Sequence, residues 1–120
     1  MITMLSLAVG SHHRPLPLGE FELLVLLATL SLGDDAYPVS VAREIESRTG
    51  RKASRTAVLI TLERLEDKDL VSSRYGGATP ERGGRPKRFF KTKARGVQAV
   101  RESLERIRTL ATGLEGLLES

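Results

Sequence analysis

Apolar residues crowd the stretch 19–32 (GEFELLVLLATLSL), where every position from Leu23 to Leu27 is apolar. The pattern predicts a helix covered on more than one side, opened by Glu20 and Glu22 at the positive end of its dipole and stopped by Gly33. A turn at Asp34, Asp35 and Ala36 leads into a second helix. Tyr37 and Pro38 stand at its first turn, Val41, Ala42 and Ile45 supply its apolar face, and Gly50 ends it. After a short turn at Arg51 to Ala53, Ser54 is placed to cap a third helix, whose buried stripe is Val58, Leu62 and Leu65, widened by Leu59. Two helices joined by a tight turn, the second capped by serine, form the outline of a helix-turn-helix.

After Leu70 the period changes. Residues 70–75 (LVSSRY) and 87–92 (KRFFKT) read as short strands, separated by a loop with four glycines and two prolines that suits a wing better than a tight hairpin turn. A last helix is predicted from about Ala94 to Leu118. Along it Val97, Val100, Leu104, Ile107, Ala111, Leu114 and Leu118 alternate three and four apart, and Leu110 and Leu117 widen the seam. Such a seam asks for a partner helix and predicts dimerisation, although the same stripe could fold back on the first helix of its own chain. Gly113 and Gly116 weaken its far end. The expected fold class is therefore mainly α with a small β-hairpin: a disordered tail at 1–17, a winged helix-turn-helix at 18–93 and a long C-terminal dimerisation helix at 94–120.

Composition narrows the function. A chain of 120 residues suits one domain, and the absence of cysteine removes disulfides, thiolate metal sites and cysteine nucleophiles together. The lack of cysteine fits a cytoplasmic home, and the apolar stretch at 21–32 is far shorter than the roughly 20 uninterrupted residues of a membrane-spanning helix, so no membrane span is expected. His12 and His13 are adjacent in the tail and cannot share a helical face as metal ligands do. The glycine pairs at 76–77 and 83–84 are not followed by the G-K-[ST] of a phosphate-binding loop. Glu63, Glu66, Asp67 and Asp69, beside Arg64 and Lys68, read as a solvated face. No catalytic residue, metal or cofactor is predicted, and an enzyme is not expected.

Charge placement points elsewhere. The net charge is +4, yet residues 82–95 hold seven basic residues (Arg82, Arg85, Lys87, Arg88, Lys91, Lys93 and Arg95) and no acidic one, so the remainder sums to −3. The basicity is local, as on a surface that meets an anion. Gly84-Arg85-Pro86-Lys87 overlaps the core of flexible minor-groove hooks. The phenylalanines that follow tie the segment into a sheet instead, one facing the core and the other the opposite surface. On the third helix, with Leu62 at the centre of the buried face, Thr56, Ala57, Ile60, Glu63, Arg64 and Asp67 point outward and Arg55 lies near the boundary. Its N-terminal half is neutral or basic, which suits a phosphate-lined major groove. Ser54, Arg55, Thr56, Ala57, Ile60 and Arg64 are the candidate contacts there, and Arg82, Arg85 and Lys87 those of the wing. A surface helix of a protein-interaction module, its basic wing binding an acidic partner, is the alternative.

These elements, in this order, resemble the PadR family of bacterial transcriptional regulators over about residues 18–110. GGRPKRFFK followed by Gly96 is similar to that family's wing and its turn into the C-terminal helix, and LERLEDKDLV (62–71) to the end of its third helix. Tyr37 to Ile45 is similar to the start of its second. The resemblance implies a winged-helix homodimer, held by the C-terminal helix on the partner's N-terminal region, that binds double-stranded DNA at a palindromic operator and usually represses. Four positions depart from the family pattern. Leu59 stands for a tyrosine, Ile60 for a proline, Asp69 for a glycine before the strand, and Thr92 for a leucine after the aromatic pair. Family members that respond to planar aromatic drugs stack them on tryptophan, which this chain lacks, so a small-molecule effector stays open and unidentified.

Overall fold

The computed structural model describes residues 17–76 and 86–119. Helix α1 spans Glu20–Leu32, a 3-10 turn Gly33–Asp35, α2 Pro38–Thr49 and α3 Arg55–Asp67; strands β1 (Val71–Gly76) and β2 (Lys87–Thr92) follow, then α4 (Ala94–Ala111) and a short α5 (Glu115–Leu118). The order is that of a winged helix-turn-helix with a C-terminal helix. The tail at 1–16 and the wing residues Arg82 and Arg85 lie outside the described residues.

The helix ends follow local chemistry. The Glu22 carboxylate accepts the Gly19 N–H at 3.0 Å, satisfying a donor that the first turn of α1 leaves orphaned. In α2 the Tyr37 N–H is held by Ser40 Oγ at 2.9 Å, with Pro38 in the first turn. Ser54 caps α3, its Oγ accepting the Ala57 N–H at 3.0 Å.

The core sits where α1, α2 and α3 meet under the hairpin. Leu26, Val25, Val41, Val58, Leu62, Leu65, Leu70, Val71 and Phe90 are buried almost completely. Each such side chain contributes about 1.5–3 kcal/mol relative to leaving it exposed. The strands pair antiparallel, with Val71 opposite Thr92, Ser73 opposite Phe90, Arg74 opposite Phe89 and Tyr75 opposite Arg88. On its other side β2 is held by the segment before α2, the Phe90 N–H donating to the Ala36 carbonyl at 2.8 Å. This register settles the aromatic pair: Phe90 enters the core, and Phe89 faces the opposite side against Tyr37.

Between α3 and β1 the chain turns through Asp69, a non-glycine residue at φ 66. The left-handed conformation is rare for a residue with a Cβ and is the one in which glycine is favoured. Lys93 and Arg95 each hold the Asp69 carboxylate, the latter at 3.2 Å. The backbone closes the same junction, the Lys93 N–H donating to the Leu70 carbonyl at 2.9 Å. Thus the end of the third helix and the start of the C-terminal helix are joined directly.

The C-terminal helix departs from expectation in two ways. It is not continuous to Leu118: α4 ends at Ala111, Thr112 turns extended, and Gly113 adopts φ 90, which a side chain would resist. Its seam is also divided. Val100 is only 6 % exposed and Leu104 packs on the same core, because the N-terminal half of α4 lies on α1 and β2 of its own chain. Val97 is half-buried with them. Further along the stripe is uncovered, with Ile107 58 % and Leu110 82 % exposed, and Leu114, Leu117 and Leu118 exposed beyond the break.

Candidate nucleic-acid interface

The buried stripe of α3 (Val58, Thr61, Leu62 and Leu65) fixes which side of the helix meets solvent. Ser54, Arg55, Thr56, Ala57, Ile60, Glu63, Arg64 and Asp67 are all exposed, Ile60 to 49 %. Ser54 uses an oxygen lone pair for the cap, which leaves its hydroxyl hydrogen available to an outside acceptor. Among the described residues Arg55 and Arg64 form no ion pair within the chain.

The hairpin has two chemically different faces, set by the alternation of its strands. One looks at α3. There Arg88 spreads its guanidinium between two carboxylates of that helix, Nη1 to Glu63 and Nη2 to Glu66, both at 2.8 Å. Ser73 Oγ, from the opposite strand, donates to the second oxygen of Glu66 at 2.8 Å and accepts from Arg88 Nε at 3.3 Å. Burial disfavours the Arg88 cation, but the Glu63 hydrogen bond and the charges of both carboxylates outweigh it and raise its pKa further.

The other face carries a cation–aromatic ladder. The Arg74 guanidinium lies 4.7 Å from the Phe89 ring centre, Phe89 meets Tyr37 edge-on at 5.6 Å, and Lys87 Nζ stands 4.0 Å over Tyr37. Lys91, 3.9 Å from Asp34, is open to solvent on both sides of that weak pair.

These contacts revise the charge reading. Of the seven basic residues in 82–95, Arg88, Lys93 and Arg95 are engaged by Glu63, Glu66 and Asp69, so the three carboxylates are ion-paired rather than a merely solvated face. Asp69 is held below the ordinary carboxylate value chiefly by the Lys93 hydrogen bond. Lys87 and Lys91 remain on the ladder face. Arg74, exposed beside them, was not singled out from the sequence. Its partner Phe89 lies across a long loop, and only the strand register brings the two together. No helix among the described residues is long and apolar enough to cross a membrane.

A three-helix core, a hairpin wing and an appended C-terminal helix define the winged helix-turn-helix class. Within it, the solved structures most like this chain include PadR-type proteins. A PadR family transcriptional regulator from Eggerthella lenta is 23 % identical, with 98 % of this chain and 95 % of that one covered at a TM-score of 0.61. A PadR-like transcription factor from Bacteroides fragilis is 18 % identical, with coverage of 81 % and 88 % and a TM-score of 0.67. A PadR-like transcriptional regulator from Bacillus cereus is 13 % identical, with coverage of 83 % and 92 % and a TM-score of 0.65. No family model and no curated protein matches the sequence. The chain thus has a PadR-like fold.

Proposed function

We propose that the protein is a sequence-specific DNA-binding transcriptional regulator, a homodimeric repressor acting on a palindromic operator in the cytoplasm. The observation that carries this reading is the N-terminal half of α3. Ser54, Arg55, Thr56, Ala57 and Ile60 are exposed there without an acidic residue among them, on a fold whose similar structures are described as transcriptional regulators. In this reading Thr56, Ala57 and Ile60 meet base edges and thymine methyl groups in the major groove, and Ser54, Arg55 and Arg64 meet phosphate. Arg82, Arg85 and Lys87, joined by Arg74, follow the backbone or the adjacent minor groove. Residues 18–93, with the N-terminal half of α4 packed on them, form the DNA-binding unit, and the rest of 94–120 forms the dimerisation unit, with Ile107, Leu110 and Leu114 buried between protomers.

Gel shift against duplex DNA of random sequence at low salt tests it. Retarded complexes that weaken steeply with salt are the expected result, and selection of bound sites from a random pool then reads out the operator. Absence of even nonspecific binding would remove the regulator reading and leave a protein-interaction module.

A further inference from the structure

The DNA reading leaves an unexplained feature. The basic strand that should attract DNA spends an arginine on the helix that should enter it. Arg88 is only 24 % exposed at its side chain, and its fork is closed by Glu63, Glu66 and Ser73. Its charged group also lies 5.0 Å from the Phe90 ring centre, so it stands between the core phenylalanine and the helix. A residue held this way has little left to offer a phosphate.

We infer that Arg88 is a positioning residue that locks the wing against the third helix, and that Glu63 and Glu66 serve as its anchor. The geometry requires arginine. Two carboxylates three residues apart on one helix are bridged by the separate nitrogens of a planar fork, which a lysine ammonium cannot reproduce. The placement also explains why acidic residues are tolerated on a helix facing a polyanion: their charge is directed at the wing. The lock fixes the distance between the helix and the paired strands that carry Arg74 and Lys87, so that helix and hairpin can meet one duplex at once.

This inference rests on the DNA reading for its consequence, but the lock itself can be tested without DNA. Amide hydrogen exchange of β1 and β2 in the free protein should quicken in Arg88→Met while the amides of α1 stay protected; unchanged exchange in the hairpin would overturn the lock. Binding supplies a test of sign. Glu63→Ala with Glu66→Ala makes the protein more positive by two charges, so attraction alone predicts tighter binding to a random duplex at low salt. Positioning predicts weaker binding, by roughly 10-fold, comparable to a well-placed contact. Tighter binding by the double variant would overturn the inference. So would a loss of ~1 in the salt slope of Arg88→Met, which would make Arg88 a phosphate contact. If wild-type protein binds no duplex, the DNA reading falls while the exchange experiment still decides the lock.

Discussion

A Cβ added at Gly96 would lie 2.3 Å from the Leu70 carbonyl oxygen and 2.7 Å from Thr92 Cγ2. The glycine therefore marks a close approach between the first turn of α4 and the start of the hairpin, and the left-handed region is not the reason for it. Alanine would gain up to about 1 kcal/mol of helix propensity. Against this stands overpacking on a backbone oxygen that also accepts the Lys93 N–H, typically worth about 1–3 kcal/mol. Gly96→Ala should thus melt at a lower temperature; an equal or higher melting point would show that α4 can slide away from Leu70 at little cost.

Thr92 tests the opposite case. Its Oγ1 is buried and has no hydrogen-bond partner among the described residues, whereas the buried Thr29 hydroxyl donates to the Val25 carbonyl at 2.7 Å. A lone buried hydroxyl costs about 1–3 kcal/mol in desolvation. Thr92→Val should therefore be neutral or stabilising in urea denaturation, and Thr29→Val should not. Destabilisation at Thr92 would reveal an acceptor not seen in this structure.

Glu22 links α1 to the end of α3 through Lys68 Nζ at 2.8 Å. Burial raises its pKa, but the Lys68 ammonium and the Gly19 N–H outweigh burial and hold it below the ordinary 4.5. A folded value below the unfolded one means that the ionised pair adds stability above about pH 4.5, which is lost as the pH falls through the lowered value. Denaturant midpoints of wild type should drop through this acid window, and those of Glu22→Gln should start lower and drop less. Parallel curves would remove Glu22 from the acid response.

For the proposed wing contacts the expected readout is salt dependence. Arg74→Ala and Arg85→Ala should each weaken binding to all duplexes and reduce the log–log salt slope by ~1. An unchanged slope for either would place that arginine away from phosphate.

The divided seam of α4 dictates how dimerisation should be probed. Leu104 packs on the core of its own chain, so a lysine there would destabilise the protomer as well as the seam. Ile107→Lys with Leu110→Lys alters only exposed positions. The double variant should sediment as a monomer with the hairpin and core intact, and a surviving dimer would move the interface elsewhere.

Much of the fold was legible because its signals are local. Ser54 as a cap, Pro38 in a first turn, the stripe of α3 and the two strand segments all depend on residues within a few positions of one another. The exposed face of α3 followed from the same periodicity. What escaped depends on contacts between distant segments. Arg88 finds Glu63 and Glu66 on another element, and Arg74 finds Phe89 only once the strands are in register. The choice of Phe90 rather than Phe89 for the core is likewise fixed by register, since alternation shows that they differ but not which is which. The break after Ala111 was masked by a heptad pattern that runs on unbroken across Gly113, where the backbone turns instead.

One residue, Lys93, separates the last strand from α4, and it is fastened through both its backbone and its side chain. In the proposed DNA-binding role, α4 and α3 would therefore act as the arms of a fixed-jaw caliper. In a dimer joined through α4, the span between the two reading heads would be a constant of the protein, with no slack to absorb a change in the DNA. Inserting one base pair between half-sites displaces the second by about 3.4 Å and rotates it by about a tenth of a turn. The operator's spacing would then be as much a part of the recognised message as its letters.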